Sequence, residues 1–187
     1  MGSLASALTS LNLEFSDELT YPPGMAPESA NKATLENSRM QVLSKGDIET
    51  YNKCRAMAKR GEYPPLRIVF DPDQGYTVHA DDRIKHMTLI AEYTGDVDYI
   101  KNREKDDSDS MMTLLLATDP DKSLVIGPDK RGNTARFISG INNHIPESRK
   151  KINVKCVRYS IRGASRDIAK SERLYYDYNG DKHEYPT

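Results

Sequence analysis

Near the end of the chain, the segment "SERLYYDYNG" (171–180) places three of the chain's eleven tyrosines within four positions. Side chains alternate between the two faces of an extended strand. Tyr176 and Tyr178 would therefore share one face, and Tyr175 and Asp177 the other. Two phenol rings on one face would form a flat wall with two hydroxyl groups at its rim. The simplest interpretation is an amphipathic strand that buries tyrosine rings.

The composition is typical of a folded, polar protein. Of the 187 residues 29% are charged and 37% are hydrophobic, and the formal net charge is −1. This length suits one domain with a flanking segment. Proteins that bind nucleic acid usually carry a strong basic excess, so we expect no sequence-specific nucleic acid binding.

Cysteine use and hydropathy argue against several other classes of protein. Cys54 and Cys156 lie far apart, so we expect neither a disulfide framework nor a zinc cluster, and no metal. The apolar run "MMTLLLA" (111–117) is far shorter than a membrane span of about 20 residues. The first positive charge is Lys32, so we expect neither a secretory signal nor a transit peptide.

Turn signals and periodicity predict three segments. Residues 1–65 form a partly helical flank, whose helix begins at a capping box of Ser44 and Asp47 and ends at Gly61. Its apolar stripe is predicted to contain Ile48, Tyr51 and Met57. Residues 66–180 form a β domain and residues 181–187 a short tail. Strands are predicted at 66–70, 76–80, 87–93, 112–118, 123–127, 135–138, 152–161 and 173–178.

Two other segments give the tyrosines a context. "LIAEYTG" (89–95) places a Glu-Tyr pair on a strand just before a glycine turn. "RGNTARFISGINNH" (131–144) is a short strand between loops rich in Ser, Gly and Asn. Backbone and side-chain amides in such loops suit the binding of a small polar molecule.

Taken in order, four motifs resemble those of SET-domain protein lysine methyltransferases: "DQGYTVHA" (73–80), "LIAEYTG" (89–95), "RGNTARFISG" (131–140) and "IAKSERLYYDY" (168–178). "RFISGINNH" in place of the usual Asn-His-Ser loop is most similar to the plant trithorax-related enzymes that monomethylate lysine-27 of histone H3. The resemblance implies a mainly β fold with some α, in which short curved sheets form a pseudoknot after a partly helical flank.

The resemblance also implies a cofactor, a partner and roles for individual residues. The cofactor would be S-adenosyl-L-methionine, the partner the histone H3 N-terminal tail in nucleosomes, and the location the nucleus. Tyr178 would supply the catalytic hydroxyl, Tyr176 would limit the number of methyl groups, and Tyr93 would line the lysine channel. The cofactor would contact Gly75, Tyr76, Arg136 and Phe137, together with either Ser139 and Gly140 or Asn142 and Asn143.

Several positions depart from the family pattern. Thr77 replaces the second glycine of the Gly-x-Gly motif, and Ser139-Gly140 replaces the Asn-His pair. Ser171-Glu172-Arg173 replaces Gly-Glu-Glu, and we expect these side chains to face a turn. The cysteine-rich zinc segment that follows many SET domains is absent. Two alternatives stay open. One is a non-histone lysine methyltransferase, which the composition does not exclude, and the other is a catalytically silent SET-like module that binds a peptide, which the departures at Thr77 and Ser139-Gly140 favour slightly.

The stretch "DVDYIKNREKDDSD" (96–109) carries six carboxylates against three basic groups. It is interpreted as a solvated loop, or as a source of negative potential that attracts a basic peptide lying along a sheet edge. The sequence leaves open which residues around the target lysine are read, the histone variant preferred and the oligomeric state. We expect full-length relatives to carry further domains upstream.

Overall fold

The computed structural model describes residues 3–25, 45–106, 110–141, 146–157, 161–164 and 169–176, with the backbone alone at positions 47, 148–149, 157, 161–164 and 176. Short strands dominate this part of the chain. They are β1 (Glu14–Phe15), β2 (Leu19–Thr20), β3 (Leu66–Asp71), β4 (Gly75–Ala80), β5 (Leu89–Glu92), β6 (Gly95–Tyr99), β7 (Met112–Leu115), β8 (Leu124–Gly127), β9 (Arg131–Gly132), β10 (Ser139–Gly140), β11 (Val154–Val157), β12 (Ile161–Ala164) and β13 (Tyr175–Tyr176).

Helices in the described residues are α1 (Leu4–Ser10), α2 (Lys45–Lys59) and α3 (Pro146–Arg149). Shorter 3-10 turns lie at Ile100–Asn102, Pro120–Lys122 and Thr134–Phe137. Among the described residues, no helix combines the length and the hydropathy that crossing a bilayer requires.

The β3–β4 hairpin pairs antiparallel without a break in register. Its turn is organised by Asp71, whose Oδ1 accepts the backbone N–H groups of Asp73 at 2.9 Å and Gln74 at 3.1 Å. Gly75 follows with φ +74°, a conformation that glycine adopts without steric cost. The hairpin therefore presents a fixed turn next to a glycine, as the Gly-x-Gly resemblance implies.

The segment 169–174 lies against the other edge of β4. Leu174 donates its N–H to the Val78 carbonyl at 2.8 Å, and Ala80 donates to the Glu172 carbonyl at 2.8 Å. The Leu174 side chain is fully buried in the core. Backbone pairing and apolar burial together hold this late segment beside an early strand.

The same segment continues into a parallel pairing with β10. Ser139 pairs with Tyr175 and Gly140 with Tyr176. Asn153 reinforces the end of this pairing, since its N–H donates to the Tyr175 carbonyl at 3.3 Å and its Oδ1 accepts the Tyr175 N–H at 2.9 Å. The loop motif and the tyrosine motif, far apart in sequence, are thus joined directly.

Two of the predicted strands are wrong in detail. "ARFI" (135–138) was predicted to be extended, but Thr134–Phe137 is a 3-10 turn because the Asn133 Oδ1 accepts the Ala135 N–H at 2.9 Å and caps it. The single strand predicted at 152–161 is instead an antiparallel pair, β11 and β12, which continues to β5. The strands predicted at 66–70, 76–80, 87–93, 112–118 and 123–127 are confirmed over most of their length.

A second sheet contains a strand that the sequence did not predict. Its order is β2–β6–β8–β7, and β6 occupies the start of the acidic stretch interpreted as a solvated loop. Gly95 and Val97 face the core, while Asp96 and Asp98 are partly exposed. The sequence did not predict β6 because acidic residues alternate with the residues that face the core, so the stretch looks polar throughout.

The N-terminal flank is built into the sheets. Ser3 caps α1, whose Ala7 and Leu8 are buried. Strand β1 then pairs parallel with β9, and β2 with β6. Both short strands of the flank thus pair with strands beyond residue 65, and the domain boundary predicted at that residue stays a prediction.

Helix α2 ends as the sequence predicts, but its buried face differs. Gly61 has φ +64° and donates to the Ala58 carbonyl, while Glu62 donates to the Met57 carbonyl, the two bonds of a Schellman cap. The predicted apolar stripe is wrong at Ile48, which is 46% exposed. Cys54, which was not assigned to the stripe, is buried instead. Ser44 lies outside the described residues.

Gly95, at the start of β6, has no room for a side chain. A Cβ there would lie 2.7 Å from the Gly127 carbonyl oxygen of the paired strand. Gly95→Ala should lower the free energy of unfolding by about 1–3 kcal/mol, as overpacking does elsewhere. Guanidinium unfolding followed by circular dichroism would measure the change.

The matched control is Gly46→Ala in the exposed first turn of α2. It should be neutral or stabilise by up to about 1 kcal/mol, because alanine is the better helix former. Equal stability of Gly95→Ala and the unmodified protein would contradict the steric account of Gly95.

Candidate functional site

The site predicted from the motifs begins at the parallel pair β10–β13. This pairing sets Ser139 and Gly140 beside Tyr175 and Tyr176. For Tyr176 the structure describes the backbone alone, and Tyr178, Asn142 and Asn143 lie outside the described residues. The choice between Ser139 with Gly140 and Asn142 with Asn143 therefore stays open.

Two predicted cofactor contacts form an aromatic wall next to this pair. The rings of Tyr76 and Phe137 meet edge to face at 6.0 Å between centroids, and Phe70 packs against the other side of Tyr76 at 5.3 Å. The Tyr76 and Ser10 hydroxyl groups are 2.8 Å apart, so α1 fixes the orientation of the ring. The β3–β4 hairpin and the 134–137 turn are thus brought together by aromatic contacts.

The hairpin turn leaves open space beside Gly75. A Cβ built on Gly75 finds no heavy atom within 4 Å. Thr77, which replaces the second glycine, is 1% exposed, and its hydroxyl donates to the Val69 carbonyl at 3.1 Å. Thr77 does not adopt a positive φ, so this hairpin does not need a glycine there.

Arg136 is directed at the loop that precedes it. Its Nη1 donates to the Pro128 carbonyl at 3.1 Å, and its guanidinium lies 5.7 Å from the Phe137 ring centroid. These contacts hold the 128–137 segment in shape. A contact with the cofactor stays a prediction.

Tyr93 is among the most deeply buried large side chains that the structure describes, with 1% of its surface exposed. Its hydroxyl donates to the Ser110 carbonyl. Ring and hydroxyl are therefore both fixed by the protein, and its role in lining a channel stays a prediction.

Asn133 is a structural centre of the site that sequence reasoning did not single out. Its Nδ2 donates to the Asp17 Oδ1 at 2.8 Å and to the Glu92 carbonyl at 3.0 Å, while its Oδ1 caps the following turn at Ala135. One buried amide thereby joins the N-terminal flank, the end of β5 and the 134–137 turn. The position of Asn133 within the "GNTARF" motif is the feature of the sequence that could have identified it.

Negative charge collects at the end of β5. Burial, and secondarily the charge of Asp17, raise the pKa of Glu92 above its usual value. Burial, and then the Glu92 charge, raise the pKa of Tyr21. For Tyr63 the pKa is raised by burial first and then by Asp17 and Glu92. Ionised Glu92 is thus disfavoured in the folded state.

Acidic residues of 96–109 are partly engaged within the protein. Asp96 lies 3.0 Å from the Arg131 guanidinium, and Arg103 pairs with both Asp106 and Asp129. Asp107 and Asp109 lie outside the described residues. Internal pairing reduces the negative potential that this stretch can offer to a basic peptide.

Comparison with known families identifies the arrangement. The SET domain family matches residues 75–179, more than half of the chain. The chain belongs to the SET-domain family. The predicted SET fold, mainly β with some α, is confirmed, and the pairing of 169–176 with β4 and β10 supports the predicted threading.

Plant relatives match the whole chain. Identity is 69% with a Ricinus communis protein named as a probable histone-lysine N-methyltransferase ATXR5, 65% with ATXR5 and 61% with ATXR6 of Arabidopsis thaliana. The chain spans about half the length of these curated relatives, 51% to 56%.

Solved structures agree with this assignment. A crystal structure of ATXR5 in complex with histone H3.1 mono-methylated on arginine 26 superposes with a TM-score of 0.83 and 67% identity, covering 100% of this chain and 90% of that chain. The Neurospora SET domain protein DIM-5 superposes with a TM-score of 0.58 and 15% identity, covering 94% of this chain and 92% of that chain. This match supports the fold alone.

The two side chains that replace the acidic pair of the SET motif make definite contacts. The Glu172 and Arg173 side chains were expected to face a turn, and both contact turn residues: Glu172 the Ala169 N–H and Arg173 the Gln74 side chain. Glu172 accepts from the Asn153 Nδ2 at 2.9 Å and from the Ala169 N–H at 3.0 Å. The Arg173 side chain is only 12% exposed. Ser171, where the family pattern has glycine, has φ +68°.

The Glu92 carboxyl should make stability depend on pH. Its pKa is raised in the folded state, so the folded state binds the proton more tightly than the unfolded chain. Stability therefore falls as pH rises from the unfolded value of about 4.3 through the higher folded value. Glu92→Gln should therefore be more stable than the unmodified protein at neutral pH. The difference should shrink as the pH approaches about 4.

Urea unfolding midpoints between about pH 4 and pH 7.5 would measure this difference. The exposed Glu104→Gln is the matched control and should show no comparable gain at neutral pH. A Glu92→Gln variant that is less stable than the unmodified protein at neutral pH would contradict the account.

Proposed function

We propose that this chain is an S-adenosylmethionine-dependent protein lysine N-methyltransferase that monomethylates lysine-27 of the histone H3 tail. The observation that carries the proposal is the junction of the motifs: β10 of the "RFISG" loop pairs with β13 of the tyrosine strand beside the Gly75 turn. The relatives named as histone-lysine N-methyltransferases support it, because they match 100% of the chain at 61% to 69% identity.

The described residues fit S-adenosylmethionine. Open space beside Gly75 permits close approach of a ligand to the backbone, and Tyr76 with Phe137 offers an aromatic wall. Ser139 and Gly140 form the neighbouring rim, half-buried and fixed by pairing. When bound, S-adenosylmethionine supplies the methyl group as part of a sulfonium cation.

The acceptor lysine must reach the methyl group as a neutral amine. A free lysine has a pKa of about 10.4, so nearly all of it is protonated at neutral pH. An apolar channel lowers this pKa by desolvation, and a nearby cation lowers it further. Tyrosine suits the channel, because its ring excludes water while its hydroxyl orients the amine lone pair.

Three tyrosines carry the proposed chemistry. Tyr178 supplies the hydroxyl that orients the amine, and Tyr93 forms a wall held rigid by its bond to the Ser110 carbonyl. Tyr176 limits the product, because its hydroxyl, or a water bound to it, fills the space that a second methyl group would need. Monomethylation follows from that restriction.

The proposed substrate places the protein in the nucleus as a regulator of chromatin. The plant ATXR5 structure in complex with histone H3.1 supports the choice of partner. A catalytically silent module is the less favoured alternative, because the departures at Thr77 and Ser171 are accommodated without disturbing the hairpin or the pairing of 169–174.

The direct test is mass spectrometry of a histone H3 peptide centred on lysine-27 after incubation with the protein and S-adenosylmethionine. We expect a monomethylated peptide, and no product from the same peptide with arginine in place of that lysine. Tyr178→Phe should lower the rate by about 100-fold or more, because the amine is no longer oriented. No methylation, or a mainly dimethylated product, would refute the proposal.

The number of methyl groups added to the lysine should depend on Tyr176. Tyr176→Phe removes the hydroxyl and should allow a dimethylated product in the same assay. Tyr175→Phe is the matched control on the opposite strand face, and its product should stay monomethylated. An unchanged monomethylated product from Tyr176→Phe would show that another group limits the channel.

A further inference from the structure

We propose that Arg173 is a positioning residue that sets the affinity for the cofactor by holding the Gly75 turn against the Ser139 strand. The inference rests on the proposed function, because it takes these two elements to be opposite sides of the S-adenosylmethionine site. Arg173 stands where the SET motif has an acidic residue, so the family pattern does not supply this role.

Arg173 contacts both elements through one guanidinium group. Its Nε donates to the Ser139 Oγ at 2.7 Å, and its Nη2 donates to the Gln74 Oε1 at 2.6 Å. Its Nη1 lies 3.7 Å from the Asp71 Oδ2. Arginine suits this task, because its planar group directs several donors outward at fixed angles.

The partners on the hairpin are those that shape the turn. Gln74 directly precedes Gly75, and Asp71 orders the turn by accepting the N–H groups of Asp73 and Gln74. The same Asp71 carboxylate thus faces the Arg173 charge with its other oxygen. Any movement of the Arg173 guanidinium would be transmitted to the backbone at Gly75.

The ring of Tyr175 supports the guanidinium from one side. Their separation is 5.3 Å, and the Lys151 ammonium lies 5.9 Å from the same ring. Stacking on an aromatic ring restricts the arginine side chain. The guanidinium is thereby held in place before any ligand arrives, which lowers the entropic cost of ordering the site.

The backbone around Arg173 does not depend on its side chain. Leu174 and Glu172 are bonded to β4, and the Arg173 carbonyl accepts from the Asn153 Nδ2 at 2.9 Å. A change limited to the side chain should therefore leave the strand in place. Its effect should be concentrated on the two elements that the guanidinium links.

The test is calorimetric binding of S-adenosylmethionine and of S-adenosylhomocysteine to the whole chain. Arg173→Gln should weaken both by about ten-fold or more, the size of effect that residues orienting the ligands of a metal site show. It should raise KM for S-adenosylmethionine while kcat and the KM for the peptide change little. Arg173→Lys should recover only part of the affinity, since it lacks the planar group.

Matched variants separate positioning from general destabilisation. Arg60→Gln, which removes an exposed arginine paired with Glu62, should bind like the unmodified protein. Gln74→Ala removes a single partner on the exposed turn and should weaken binding by a smaller factor. Combined with Arg173→Gln, it should add little, because both changes break the same link.

The outcomes distinguish this inference from the proposed function. If the unmodified protein binds neither ligand, the proposed function fails, and the inference fails with it. If the unmodified protein binds but a folded Arg173→Gln variant binds equally well, the inference alone is wrong. Should Arg173→Gln fail to fold, Gln74→Ala decides: unchanged affinity overturns the proposal, and weaker affinity supports it.

Discussion

The backbone pairing of residues 169–176 is the constraint on which the rest of the site depends. This segment bonds to β4 on one side and to β10 on the other, and so joins two parts of the chain that are far apart in sequence. Closing such long loops is entropically costly. Burial of Leu174 and the side-chain amide of Asn153 help to offset that cost at the point of closure. Without this pairing, the loop and tyrosine motifs would have no defined relation to each other.

Polar junctions add to the apolar packing of Ala7 and Leu8 in attaching the N-terminal flank to this arrangement. Asn133 bonds to Asp17, the Thr94 hydroxyl donates to the Ser16 carbonyl at 2.6 Å, and β1 and β2 add short parallel pairings. When both the N–H and the oxygen of a buried side-chain amide are hydrogen-bonded, the elements they join are held in a fixed relation. Moving either partner would leave a buried polar group unpaired. Burial at this junction, and secondarily the charge of Asp17, raise the pKa of Glu92.

Sequence reasoning predicted the hairpin and most later strands because alternation and turn residues there are local signals. It missed β6, where acidic residues on the exposed face hid an alternation whose other face is buried. At "ARFI" the wrong prediction came from composition, since local β propensity was overridden by the cap from Asn133. The order of the motifs predicted that these segments lie together, but it did not predict which strands pair with each other. Register and side-chain junctions depend on contacts between distant residues, which one sequence does not reveal.

At positions that depart from the SET motifs, the residue type differs but the local backbone is accommodated in the fold. Thr77 fits where a glycine was expected because its side chain enters the protein and its hydroxyl finds the Val69 carbonyl. Ser171 keeps the left-handed backbone of the usual glycine at a cost of about 1–2 kcal/mol, which its bond to the Ala80 carbonyl helps to offset. Arg173 goes further, because it replaces an acidic side chain with one that reaches Gln74 and Ser139. A backbone fixed by pairing on both edges can accept such changes, and in this chain one of them links the turn before Gly75 to β10.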